Sequence, residues 1–178
     1  MLRLLLLRHA KSSWNEGGLA DIDRPLSPRG WRDAGRMGTA MAADGLIPDR
    51  ILCSPARRTR ETLAAILPAL GTGARVFIAE GLYEPAEDDY APVIAREGHD
   101  AQTLLVIGHN PATQATAVAL AGSGEEALRS AVAQKLPTAG LAVIRFETAR
   151  SWRDIAPGSG RLVGFTTPGE LSGEPGQD

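Results

Sequence analysis

The chain has 178 residues, a length that suits one compact domain with a sizeable buried core. Hydrophobic residues make up 43% and charged residues 22%, which excludes disordered, coiled-coil and collagen-like classes. Nineteen Lys and Arg residues against 21 Asp and Glu residues give a formal net charge of -2, so no global basic field is present to hold nucleic acid or an acidic membrane.

The number of cysteines and the first residues of the chain indicate in which cellular compartment the protein is expected. The single cysteine, Cys53, cannot form an internal disulfide, and this favours a reducing compartment, by default the cytoplasm. The opening residues 1–7 are apolar except for Arg3, and their run of four leucines is followed at once by Arg8, His9 and Lys11. The apolar run is too short for a signal-peptide core or a membrane span, so we expect a buried strand.

Strands and helices are predicted to alternate along the chain. Apart from Arg3, residues 2–7 form an apolar run without alternation, as in a central strand covered on both faces. Ser27 and Pro28 predict the start of a helix that ends at Asp44 and Gly45. The same pattern follows: a strand over 50–53, a cap at Ser54-Pro55, and a helix over 57–67 stopped by Pro68. Further strands are predicted at 75–79, 103–107 and 141–146, and further helices at 89–97 and 112–121.

This alternation predicts an α/β fold, a three-layer α/β/α arrangement around a mostly parallel central sheet. We expect a single domain over residues 1–168. Residues 169–178 contain three glycines, Pro175 and three acids, and are predicted to form a flexible tail.

Polar side chains follow three of the predicted strands: Arg8-His9, Ser54 to Arg58, and His109-Asn110. Because ligands bind beyond the carboxyl ends of the strands in open α/β sheets, we expect these groups to converge in one pocket. Two histidines and two sets of arginines would make that pocket cationic and suited to a tetrahedral anion. Each of these polar groups alone is weak evidence for a functional site, because a single histidine after a strand more often has a structural role.

Other charged residues receive simpler interpretations. Arg57 and Arg60 are predicted to lie on a solvated helix face, and His99 in a polar loop. A zinc site formed by His9, His99 and His109 is disfavoured because the spacing does not match known ligand patterns.

Four ordered segments resemble motifs of the histidine phosphatase superfamily, which includes the phosphoglycerate mutases. Leu-Arg-His-Ala-Lys-Ser-Ser-Trp-Asn at 7–15 resembles the Arg-His-Gly signature, in the Arg-His-Ala-Lys-Ser form of SixA-type phosphohistidine phosphatases. The others are Arg-Pro-Leu-Ser-Pro-Arg-Gly at 24–30, Ser-Pro-Ala-Arg-Arg-Thr-Arg-Glu-Thr at 54–62, and Val-Ile-Gly-His-Asn-Pro at 106–111. The resemblance extends from residue 3 to about residue 147 and implies a phosphoglycerate mutase-like fold.

The resemblance also implies roles for individual residues. His9 would be the nucleophile, Arg8 and Arg58 phosphate ligands, and His109 the second histidine of the pocket. Ser12 and Asn15 match positions that lie along the phosphate site. The implied activity is that of a phosphatase, a hydrolase that needs neither a metal ion nor a cofactor.

The chemistry of imidazole agrees with this assignment. A neutral ring nitrogen can attack phosphorus and give a phosphohistidine intermediate, which water then hydrolyses. Flanking guanidinium groups should hold the pKa of His9 below its ordinary value of about 6.5. One ring nitrogen must be held as a donor, and a backbone carbonyl at the strand end is the simplest acceptor.

The presence or absence of a general acid indicates the substrate class. An alkoxide needs a proton donor in order to leave from phosphorus, whereas an imidazole leaving group depends much less on one. Glu84, in a short loop without a long insertion, is the better candidate acid; the alternative interpretation is that Glu84 is a solvated loop carboxylate without a catalytic role. The leading hypothesis is a phosphatase that removes phosphate from a histidine-phosphorylated protein, such as a phosphotransfer or carrier domain. The alternatives are a phosphomonoesterase of small metabolites and, less favoured, a catalytically idle phosphate-binding module. No nucleic-acid or membrane partner is expected.

Overall fold

The computed structural model describes residues 1–14, 17–71, 73–85 and 88–172. Within these ranges seven strands form one mixed sheet: β1 (Leu2–Arg8), β2 (Arg50–Cys53), β3 (Arg75–Ile78), β4 (Thr103–Gly108), β5 (Ala121–Gly124), β6 (Leu141–Phe146) and β7 (Gly160–Thr166). The helices are α1 (Pro28–Ala43), α2 (Arg57–Leu70), α3 (Ala91–Glu97), α4 (Ala112–Leu120), α5 (Glu126–Gln134) and α6 (Pro168–Ser172). Short 3-10 turns occupy Asp21–Asp23, Glu80–Leu82 and Trp152–Asp154.

The strand order is β3-β2-β4-β1-β6-β7-β5. Strands β3, β2, β4 and β1 are parallel, whereas β6 is antiparallel to both β1 and β7. The predicted α/β class and the mostly parallel sheet are therefore confirmed, with an antiparallel β6 in the interior of the sheet.

Strand β1 lies in the middle of the sheet and contributes to the core on both of its faces. Its leucines alternate between two clusters: Leu4 and Leu6 pack with α3, α4 and α5 on one face, and Leu5 and Leu7 pack with α1 and α2 on the other. All four are fully buried. Burying a leucine side chain stabilises a fold by about 1.5–3 kcal/mol, and this double-sided burial fixes where the strand ends at Arg8.

Two helix predictions can be compared directly with the structure. The Ser27 side chain accepts a hydrogen bond from Gly30 N, and Pro28 is the first residue of α1, as predicted. The predicted start of α2 at Arg57 is confirmed, but the predicted cap at Ser54 is wrong, since Ala56 is the N-cap without a side-chain cap, and so is the predicted stop, since the helix continues through Pro68 to Leu70. Leu70 is buried in the core, so packing of the last turn outweighs the hydrogen bond lost at Pro68.

Short elements near the C-terminal part of the chain complete the sheet. Strands β5 and β7 and helix α5 were absent from the sequence prediction. The segment predicted as a tail, 169–178, begins inside α6, whose Leu171 packs against the α1/α2 core cluster. In the part of the chain described, no helix is long and apolar enough to cross a membrane.

Candidate active site

The carboxyl end of β1 presents His9 to the edge of the sheet. His9 is buried, and its Nδ1 lies 2.7 Å from the carbonyl oxygen of Ala10. Because a carbonyl can only accept, Nδ1 carries the proton and Nε2 presents its lone pair. The prediction that a backbone carbonyl holds the ring is confirmed.

The loop after His9 is held by contacts from two helices. Ala10 N donates to Thr62 Oγ1 of α2 at 3.0 Å, and Ser27 N donates to Lys11 O at 2.8 Å. A side chain at Gly30 would collide with the backbone of Lys11, so only glycine lets α1 approach this closely. Residues of the second and third sequence motifs thus position the first one.

Arg8 is anchored through one end of its guanidinium group. Its Nη1 donates to Leu136 O at 2.9 Å, whereas its buried Nε has no hydrogen-bond partner among the described residues. Burial lowers the pKa of Arg8. The Leu136 carbonyl also accepts from Asn110 Nδ2 at 3.0 Å, so the 135–140 connection, which the sequence analysis did not single out, orients two residues of the site.

Arg58 lies in the first turn of α2 with its side chain only 7% exposed. Its Nη1 donates to the backbone carbonyl of Asp21 at 2.7 Å, and its Nη2 donates to the Asp21 carboxylate at 3.0 Å. Its buried Nε has no partner among the residues described. Arg57 is instead half exposed and pairs with Glu61 at 2.7 Å, in agreement with its predicted place on the helix face.

His109 follows β4, and its ring centroid lies 5.2 Å from that of His9. Its Nε2 lies 2.7 Å from Ser54 Oγ, and its backbone N donates to Tyr90 Oη at 2.9 Å. The Ser54 hydroxyl, which accepts from Ala56 N, can donate to Nε2 or accept from it; when it donates, the proton of His109 lies on Nδ1. That Nδ1 is buried without a partner in the described part of the chain.

Both histidines are held neutral. The pKa of His9 falls to about 3, first because burial disfavours the charged ring and then because His109, Arg58 and Arg8 lie nearby, while the Ala10 hydrogen bond opposes the shift. The pKa of His109 falls to about 4, through burial and then Arg58. The predicted direction for His9 is confirmed, and burial, not the guanidinium groups, is the larger cause.

The two depressed pKa values predict how stability depends on pH. Between about pH 6.5 and 4 the unfolded chain binds protons at His9 and His109 that the folded chain does not, so the free energy of unfolding falls as pH falls. We expect each histidine to contribute about 1.4 kcal/mol per pH unit below 6.5. Urea unfolding between pH 6.5 and 5 measures the slope.

His9→Gln should reduce the slope of the free energy of unfolding against pH. His99→Gln, a control at an exposed loop position, should leave that slope unchanged. Equal slopes in the wild type and in His9→Gln would show that the ring is protonated in the folded protein.

Asp21 and Tyr83 are site residues that sequence reasoning missed. Asp21 Oδ2 accepts from Tyr83 Oη at 2.9 Å as well as from Arg58, and Asp21 Oδ1 pairs with Arg24 at 3.0 Å. The Tyr83 ring meets the His109 ring edge-on, with centroids 5.7 Å apart. Nothing in the local pattern around Asp21 indicated a contact with a residue 37 positions later.

The remaining predicted residues are placed as follows. Glu84 is exposed, directly after Tyr83. Ser12 is buried and pairs with Leu26 in an isolated antiparallel bridge. Asn15, predicted to bind phosphate, lies outside the described residues.

Neither thiol chemistry nor metal ligation is supported by the described residues. Cys53 is buried and its pKa is raised to about 12, mainly by burial, so the thiol is unreactive. The described ranges contain no group of three or more His, Cys, Asp or Glu side chains that could hold a metal ion.

Comparison with known proteins identifies a family model that matches about half of the chain and relatives that cover more than nine-tenths of it. Residues 4–91 match the model of the histidine phosphatase superfamily, branch 1. An uncharacterized protein of Mycobacterium tuberculosis is 44% identical over 91% of this chain and 99% of its own length.

Solved structures are also similar. A candidate phosphohistidine phosphatase SixA from Agrobacterium tumefaciens is 32% identical, with a TM-score of 0.77 over 93% of this chain and 97% of that one. A second such protein, from Nakamurella multipartitia, is 28% identical, with a TM-score of 0.80 over 94% and 96% of the two chains.

Proposed function

Since the chain belongs to the histidine phosphatase superfamily, we propose that it is a phosphohistidine phosphatase that removes phosphate from a histidine-phosphorylated protein. His9 is the nucleophile, Arg8, Arg58 and His109 bind the phosphoryl group, and no metal ion takes part. The proposal rests on three buried nitrogens near His9 that have no hydrogen-bond partner among the described residues: Nε of Arg8, Nε of Arg58 and Nδ1 of His109, the last a donor when Ser54 donates to Nε2.

These donors favour an oxyanion ligand. An unpaired buried polar group costs about 1–3 kcal/mol, and a tetrahedral anion accepts several hydrogen bonds at once. Both arginines also act electrostatically on both histidines, which indicates that all four groups belong to one pocket. We therefore assign the phosphoryl group to the space that these donors border.

The reaction proceeds in two displacements. The Nε2 lone pair of His9 forms a bond to phosphorus while the bond from phosphorus to the leaving nitrogen breaks, and that electron pair remains on the leaving imidazole. Arg8, Arg58 and His109 stabilise the charge on the phosphoryl oxygens, the main requirement in phosphoryl transfer. Water then attacks the phosphohistidine, releasing phosphate and restoring neutral His9.

The protein substrate is supported by two features. The SixA-like neighbours from Agrobacterium tumefaciens and Nakamurella multipartitia are described as candidate phosphohistidine phosphatases. The connection between β3 and α3 is short, so it adds no domain-sized cover that would enclose a small metabolite. The cytoplasmic location stays a prediction.

The alternative is a phosphomonoesterase of small metabolites with Glu84 as its acid, favoured by the exposed position of Glu84 beside Tyr83. Glu84→Gln separates the two. If imidazole is the natural leaving group, the variant should hydrolyse a phosphohistidine-bearing carrier domain almost as fast as the wild type. It should lose ~100-fold on an alkyl phosphate, whose alkoxide needs an acid, and keep its rate on an aryl phosphate.

The rates are compared by phosphate release, with and without EDTA, which should change neither. An equal large loss on phosphohistidine and alkyl phosphate, or faster turnover of alkyl phosphates than of the carrier domain by the wild type, would favour the metabolite phosphatase. Loss of activity in EDTA would contradict the metal-independent mechanism.

A further inference from the structure

The carboxylate of Asp21 lies at the outer end of the candidate pocket. Its side chain is 55% exposed, whereas that of Arg58, to which it is hydrogen-bonded, is 7% exposed. Tyr83 and Arg24 also donate to it, so three side chains hold it in place. A position fixed by three partners is one at which a charge can act on a ligand with defined geometry.

The direction of attack places the leaving group on this side. In-line displacement puts the nucleophile and the leaving atom on opposite sides of phosphorus. His9 is buried at the end of β1 and attacks from the interior, so the leaving group faces solvent. Asp21 lies at the solvent side of Arg58, and Tyr83 joins Asp21 to the edge of the His109 ring.

Asp21 acts as an anion and not as a proton donor. Burial by itself raises the pKa of Asp21, but the hydrogen bonds from Tyr83 and Arg58 outweigh it and hold the pKa below its ordinary value. A carboxylate has about four acceptor sites. The side chains of Arg58, Tyr83 and Arg24 use three, which leaves capacity for a further donor.

We infer that Asp21 determines specificity: its carboxylate selects leaving groups that carry a positive charge or an N–H donor, and disfavours those that carry a carboxylate or a second phosphate. This inference deepens the proposed function and, for the protein substrate, rests on it. The imidazolium of a phosphohistidine is such a leaving group, as are other protonated phosphoramidates.

The chemistry of the P–N bond explains why such a carboxylate is useful. Phosphoimidazole protonated on its second ring nitrogen departs as neutral imidazole: the electron pair of the breaking bond goes to the leaving nitrogen, and the N–H stays on the other. Without that proton the leaving group would be an imidazolide anion. Asp21, by accepting from that N–H, keeps the proton in place.

The test uses two phenyl phosphates that differ only in a para substituent, trimethylammonium or carboxylate, with kcat/KM measured for both. We expect the wild type to prefer the cationic substrate roughly tenfold, as a close carboxylate at the rim of a site allows. In Asp21→Asn the ratio should fall to about one. Asp23→Asn removes the same charge from the same 3-10 turn, at an exposed position, and should leave the ratio unchanged.

Inhibition by vanadate distinguishes selection of the leaving group by Asp21 from a structural role in which Asp21 only positions Arg58. Vanadate has no leaving group, so Asp21→Asn should bind it at least as tightly as the wild type does. If Asp21 only positions Arg58, the variant will bind vanadate more weakly and lose rate equally on both phenyl phosphates, and the inference is overturned. The phenyl phosphate ratio does not depend on phosphohistidine turnover, so failure of the carrier-domain assay would remove the proposed function and leave charge selection standing.

Discussion

His9→Ala is expected to abolish turnover, with a loss of at least ~10⁴-fold in kcat, because in the proposed mechanism His9 forms the covalent intermediate. The fold should persist, since the ring lies at a strand end and not between the two core clusters. Phosphate release and thermal unfolding measure the two effects.

His99→Ala is the matched control, because His99 is exposed in a loop and should be dispensable. Wild-type rates in His9→Ala would remove His9 as the nucleophile, and a cooperative unfolding transition in the variant would exclude misfolding as the cause of a loss.

Arg58→Ala should have the second largest effect. Its guanidinium group is buried and fixed by two hydrogen bonds to Asp21, and its Nε has no hydrogen-bond partner in the part of the chain that the structure describes. Removing one preorganised donor to a developing oxyanion costs about 10²–10³-fold in kcat. Steady-state kinetics on an aryl phosphate measure this loss.

Arg57→Ala is the neighbouring control. Arg57 is half exposed and paired with Glu61, so we expect a change of about twofold or less, as for exposed ion pairs. Arg60→Ala should be similarly mild. The reverse order, with Arg57 essential and Arg58 dispensable, would mean that the wrong arginine has been assigned to phosphate.

The parts of the fold that the sequence predicted are those with strong local signals. Four consecutive leucines in β1 predicted a strand buried on both faces, and Ser27-Pro28 predicted the start of α1. The convergence of Arg8-His9, Arg58 and His109 followed from a general property of parallel sheets, that strands deliver their polar termini to one edge.

The missed elements lack such signals. Strand β5 has the sequence Ala-Gly-Ser-Gly, which has no strand propensity, and it is extended because it pairs with β7. A side chain at Gly122 would collide with the backbone of Gly158, a constraint visible only in three dimensions. Tertiary contacts also extend α2 beyond Pro68, although proline disfavours the helical conformation locally.

The candidate site was predictable to a similar extent. The motifs identified the two histidines and two arginines, but Asp21 reaches Arg58 from a separate turn of the chain. No sequence periodicity or motif spacing indicates that Asp21 and Arg58 are in contact. The predicted cationic pocket was therefore incomplete: Asp21, which lies outside the four motifs, adds a carboxylate to it, and we infer that the specificity of the site depends on this residue.

The proposed mechanism requires that His9 becomes phosphorylated during turnover. The direct measurement is to mix the protein with a ³²P-labelled substrate, quench within the first turnovers, and locate the label by peptide mapping. We expect acid-labile, base-stable phosphate on His9, at a level that falls to background in His9→Ala. An alkali-labile phosphoester on a serine, or full turnover without any labelled protein, would contradict the mechanism.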